Sequence, residues 1–196
     1  MTIRATAVFD YRPEEFHSQE DIQTHLGWIL PKANSLRAYW REHEPPLYRP
    51  GRKRSRIGQL RVQADFSWVL SSADEDWQRF LGPGNLAVWL RQGHGEILTG
   101  CRWKAFFTIP KLRRLHLNLY HRVAEVLKAK TLIVMRSDSK AQDLLWEGAS
   151  MEIAISALEQ EWGIPQPSVQ QVSPELRKEA EGGFPRTWFI EDVAHS

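Results

Sequence analysis

The sequence predicts a single α+β domain over residues 1–196, a mostly antiparallel sheet with helices packed on one face. Three observations carry this expectation. From Thr2 to Tyr11 apolar and polar residues alternate, with Ile3, Ala5, Ala7 and Phe9 on one parity, the pattern of a half-buried strand. Leu86 to Arg91 and Glu96 to Ile109 read as two strands joined across Gln92-Gly93-His94-Gly95, a hairpin signal. Leu112, Leu115, Leu119, Val123, Val126 and Leu127 form a helical stripe, the clearest helix in the chain.

The remaining elements follow from local chemistry. Pro13 ends the first strand; Ser18, followed by Glu20 and Asp21, is an N-cap with acids in the first turn, so a helix is expected from about Gln19 to Leu30, stopped by Pro31. Leu36, Tyr39 and Trp40 mark a second helix from about Asn34 to His43, closed by Pro45-Pro46. A basic loop covers 49–56, and Leu60 to Leu70 alternates partly, as a strand does. Asp74 to Leu81, after Ser72, reads as one or two helical turns, and Gly82-Pro83-Gly84-Asn85 as a turn. Thr131 to Met135 is a short uninterrupted apolar run, suited to a strand buried on both faces. A helical turn is expected through Asp143 to Trp146, then a helix capped by Ser150 with Met151, Ala154, Ile155, Leu158 and Trp162 on one side, ended by Gly163 and Pro165. Residues 166–183 are rich in Pro, Gln, Ser and Glu and read as an exposed connection, before a last strand from Thr187 to Ile190.

Composition narrows the function classes. Apolar residues make up 42% of the 196 and charged residues 26%, which suffices to bury a core without disulfides or metal. No apolar run approaches the roughly 20 residues of a membrane span. Residues 1–10 lack the apolar core of a leader, so the expected compartment is the cytoplasm. The one cysteine, Cys101, cannot form an internal disulfide and is expected to be an inert apolar filler. Net charge is +2 but unevenly spread: residues 101–140 hold 10 basic and 2 acidic side chains, residues 141–196 hold 3 and 10. The expectation is that these two segments pack together and neutralise one another.

Motifs for catalysis are missing: the sequence has no glycine-rich phosphate loop, no HExxH, no CxxC, no EF-hand loop and no GxSxG. It therefore calls for no cofactor and no metal. His94, between two glycines, reads as a loop-tip residue or an exposed general base. His116 and His121 lie five apart, a poor spacing for two ligands on one helical face. Asp138, Asp143 and Glu147 follow an expected strand, a position that suits an acidic site as well as a solvated surface. Arg49, Arg52, Lys53, Arg54 and Arg56, with Arg61 nearby, suit phosphate contacts, and Lys111, Arg114, Arg122 and Lys128 extend the basic surface along the long helix.

Nine tryptophans are the other unusual feature. Trp28, Trp40, Trp89 and Trp162 fall on apolar stripes and are expected in the core; Trp77, Trp103, Trp146 and Trp188 do not. Trp and Arg are the residues enriched at interface hot spots. The sequence thus reads first as a non-enzymatic, cytosolic protein-binding domain, of the kind seen in immunity or neutralising factors, with Trp103 and Trp146 as anchors. An RNA- or DNA-binding protein using the 49–61 loop is the second reading, and an enzyme built on His94 or on Asp138, Asp143 and Glu147 the third.

Overall fold

The computed structural model describes residues 3–29, 68–73, 77–82, 86–167, 169 and 172–193. They form a seven-stranded, wholly antiparallel sheet with six α-helices. The strands are β1 (Arg4–Tyr11), β2 (Val69–Ala73), β3 (Gln78–Leu81), β4 (Ala87–Arg91), β5 (Gly93–Arg102), β6 (Thr131–Arg136) and β7 (Phe189–Asp192). The helices are α1 (Gln19–Gly27), α2 (Trp103–Thr108), α3 (Pro110–Val126), α4 (Lys140–Trp146), α5 (Met151–Trp162) and α6 (Pro174–Gly182). The sheet order is β2-β3-β4-β5-β1-β6-β7.

The α+β class with a mostly antiparallel sheet is the one the sequence predicts. β1 is more buried than its alternation implies, because it is not a half-covered strand. It lies between β5 and β6, and both of its faces are covered. Ala5, Ala7 and Phe9 enter a large core with α1, α2, α3 and α6, whereas Val8 enters a smaller core with Ile133 and Met135 of β6 and with α4 and α5. Most helical mass is on one face, and α4–α5 add a second, smaller layer on the other, over the β1–β6 side.

Four local expectations change. The hairpin turns on Gln92-Gly93 alone, with Gly93 at φ +92°, so Arg91 pairs with His94 and His94 becomes a strand residue. β5 ends at Arg102 rather than Ile109, and Trp103, Phe106 and Phe107 are buried on a helix, at i, i+3, i+4 spacing. Residues 78–81, expected as helical turns, form β3 instead, with Phe80 paired to Val88 and wholly buried. The expected connection at 166–183 holds α6, capped by Ser173, with Val169, Val172 and Ala180 buried. The expected helix at 34–43, the strand positions before residue 68 and the whole 49–61 basic loop lie outside the described residues.

The long helix forms as expected. Leu112, Leu119, Val123 and Val126 are buried, Leu115 is half-buried, and His116, Leu117 and Tyr120 widen the covered face. The basic and acidic segments do pack together, through β6 on β7 and α2 on α6. Among the described residues the only ion pair joining them is His121 with Glu191.

Candidate functional site

The smaller-core face of the sheet is covered by helices over β1 and β6, and its β3–β4 side carries tryptophans. Register sets which side chains share this face. Val8 of β1 opposes Glu96 of β5, Glu96 opposes Trp89 of β4, and Trp89 opposes Arg79 of β3. One step along, Asp10 opposes His94 and His94 opposes Arg91. Because side chains alternate along a strand, Trp89 and Arg91, and likewise His94 and Glu96, project to the same side.

α4 closes this group from above. Ser139 caps it through the Gln142 amide, and Ala141 and Leu145 anchor it on the sheet. That leaves Trp146 at its last turn, 41% exposed. Trp146 stacks on Trp77 with ring centroids 5.1 Å apart and lies 5.3 Å from Trp89. Trp77 in turn meets Trp89 edge-on at 5.9 Å and His94 at 5.5 Å. Two guanidinium groups interleave with these rings: Arg79 over Trp89 at 5.0 Å and Arg91 over Trp77 at 5.4 Å. Arg91 Nη1 also donates to the Trp146 carbonyl at 3.0 Å, clamping the end of α4 to the β4–β5 hairpin.

Beneath the rings lies Glu96, only 3% exposed. The Gln142 side-chain amide donates to its Oε1 at 2.7 Å. Burial pushes Glu96 up to about 7, with the Trp146 side chain holding it back. His94 is pushed down to about 4, by burial first and by the Arg91 charge second. Burial under Trp146 thus biases both the imidazole and the carboxyl toward their neutral forms.

The expected site residues separate in space. Trp146 is in this cluster and is exposed. Trp103 is not an anchor: it is fully buried, stacked on Phe106 at 5.7 Å, with its indole N–H donated to the Pro185 carbonyl at 2.9 Å. The start of α2 turns its ring inward, so the charges beside it in sequence are not beside it in space. Trp188 is core too, and Trp28, expected inside, is 59% exposed at the end of α1. His94 is not an exposed base, because the tighter hairpin places it within the sheet. Asp138 forms a two-point pair with Arg136, at 2.8 and 2.6 Å, while Asp143 and Glu147 are exposed on or beside α4. Those three acids do not converge, and no cluster of three metal-ligating side chains occurs among the described residues. His116 is buried within α3, and His121 pairs with Glu191. Cys101 is fully buried, its thiol pushed up by burial. Arg49, Arg52, Lys53, Arg54 and Arg56 lie outside the described residues.

Glu96, Trp77, Trp89, Arg79 and Arg91 are not among the residues the sequence singles out for a site. A charged residue inside the apolar β5 run, facing a tryptophan on β4 in a tight hairpin register, is the signal that would find two of them. A shallow groove of about 320 Å³ lies elsewhere, between α4 and α5, lined by residues including Lys140, Leu144 and Ile153. Among the described residues no helix is long and apolar enough to cross a membrane. The chain matches no protein-family model, no curated protein and no solved structure.

Proposed function

We propose that this chain is a non-enzymatic protein-binding domain that docks its partner on the Trp146 cluster. The observation that supports this most is the state of Trp146 itself: exposed to solvent, yet stacked on Trp77, set against Trp89 and held through its carbonyl by Arg91. An exposed tryptophan held in one place has already lost the rotamer freedom that binding would otherwise cost. Arg79 and Arg91 flank the rings, and Trp with Arg is the composition of a hot spot. The partner this surface suits presents an apolar side chain to Trp146 and carboxylates to the two arginines. A neutralising factor of the immunity type, working in the cytoplasm, would use a surface of this kind.

The test is affinity capture on immobilised wild-type protein and on Trp146→Ala, followed by titration of any captured protein in pure form. A protein that binds the wild type saturably and the variant much more weakly supports the reading. The same aromatic–arginine surface could stack nucleic-acid bases. Saturable binding of a single-stranded oligonucleotide, weakened by Trp146→Ala in the absence of any protein partner, would overturn the protein reading in favour of that one.

A further inference from the structure

The opposite side of the molecule carries a different feature, where α2 packs against both α3 and α6. Arg113, in the first turns of α3, is 3% exposed. Its Nη1 donates to two carbonyls in the last turn of α2, Phe106 at 3.2 Å and Phe107 at 3.0 Å. These contacts fix the guanidinium and offset part of its charge with the end of a short helix. They supply no anion, and among the described residues no carboxylate lies within ion-pair distance of Arg113. Its Nε and Nη2 make no hydrogen bond to a described residue.

The surroundings add positive charge. Arg114 is next in sequence and exposed, and Arg177 is exposed on α6. Lys104, at the start of α2, reaches the Glu181 carbonyl at the end of α6 at 2.7 Å. Arg177 lies one turn earlier on α6, toward the end of α2 that Arg113 holds. Burial, then Arg177, then Arg114 each disfavour the charge on Arg113. A guanidinium does not shed its proton at physiological pH, so the charge stays, and no described carboxylate balances it. Nor do the neighbouring described residues meet it: the first turn of α3 contains no acid and its N-cap Ile109 offers no side-chain acceptor. Of the α6 acids, Glu179 accepts the Arg186 amide, Glu175 lies in the first turn of its own helix, and Glu181 forms no ion pair with Arg177.

We propose that Arg113, Arg114 and Arg177 form a binding site for a phosphate-type dianion at the corner of α2, α3 and α6. Three guanidinium groups exceed what one carboxylate balances, and the planar guanidinium fork matches the oxygens of a phosphoryl group. Arg113 is the pre-positioned member, and Arg114 and Arg177 close on the anion from the surface. This site is on the α3 side of the sheet, away from Trp146, so it stands independently of the docking surface.

The experiment titrates the full chain with inorganic phosphate and, separately, with O-phosphoserine, holding ionic strength constant with chloride. Thermal unfolding and calorimetry read the binding. Arg177→Gln combined with Arg114→Gln changes exposed side chains and leaves the core intact, so it is the test variant. The expected result is saturable stabilisation of the wild type and at least a tenfold weaker dissociation constant in the double variant. Tighter binding of phosphoserine than of phosphate would identify a phosphoryl group on a larger molecule as the ligand, and equal binding would identify the free ion. A wild type that shows only the response it gives to chloride, or a double variant that binds like the wild type, would overturn the proposal.

Discussion

Consider the replacement of Glu96 by glutamine. The side chain keeps its shape beneath Trp146 but loses its titration. In the folded chain Glu96 is raised from 4.5 to about 7 by burial, with the Trp146 side chain opposing the rise. A raised acid stabilises the fold fully below its unfolded value, because there both states hold the proton. As pH rises from about 4.5 to 7 the unfolded state releases that proton and the folded state does not, and the stabilisation is progressively lost. A shift from 4.5 to about 7 corresponds to about 3 kcal/mol in total. The Glu96→Gln chain carries no such loss. The difference in unfolding free energy, variant minus wild type, should therefore be constant below about pH 4.5, grow through pH 5 and 6, and level off above about pH 7, having risen by up to about 3 kcal/mol. His94, lowered to about 4, and His116, lowered to about 3, act in the opposite sense, destabilising the fold as pH falls below 6.5. Both are present in both chains, so they largely cancel in the difference. Urea unfolding followed by tryptophan fluorescence at half-unit steps from pH 5 to pH 9 measures it. A difference that stays flat across that range would show that Glu96 does not carry a raised proton affinity, and the description of the layer under Trp146 would fail with it.

Other outcomes follow from the same packing. Trp103→Ala should cost about 3–5 kcal/mol of stability, the range for a large buried aromatic, whereas a loss below about 1 kcal/mol would return Trp103 to the surface. Gly95→Ala should be poorly tolerated, because a Cβ there would collide with the ring of the fully buried Phe9. A cost of about 1–3 kcal/mol in denaturant unfolding is expected, and a neutral result would mean the Phe9 ring has room to move. Cys101 should react with a thiol reagent slowly in the native protein and quickly in denaturant; rapid native labelling would contradict its burial.

Much of the fold is legible because its signals are local. The Leu112–Leu127 stripe, the Ser18 and Ser150 caps, the 131–136 strand and the existence of the hairpin all depend on residues close in sequence. What fails depends on partners far away. β1 looks half-buried by alternation, but Val8 is covered because α4 and α5, more than 130 residues later, pack on its other face. The aromatic run at 103–107 suits a strand by propensity, and only the core it meets decides that Trp103, Phe106 and Phe107 are helical. At the candidate site, Trp146 lies beside charge and off any apolar stripe, and it is exposed. Trp103 meets the same sequence criterion and is core, because sequence neighbours of a residue need not be its neighbours in space. Glu96 escapes a sequence reading because its importance lies in Gln142 and Trp146, which reach it from about 50 positions away.

The central claim is that Trp146 is a docking anchor, and the most direct measurement is the affinity of a purified partner for Trp146→Ala beside Ile153→Ala. Both side chains are large and exposed, at 41% and 53%, so both variants should fold. They differ in that Trp146 sits within the Trp77–Trp89–Arg79–Arg91 cluster and Ile153 lies on α5. Truncating a true anchor should cost about 2 kcal/mol or more, a loss of about 30-fold in affinity, while Ile153→Ala should bind within about twofold of wild type. Wild-type affinity in the Trp146→Ala protein, with its fold intact, would contradict the account.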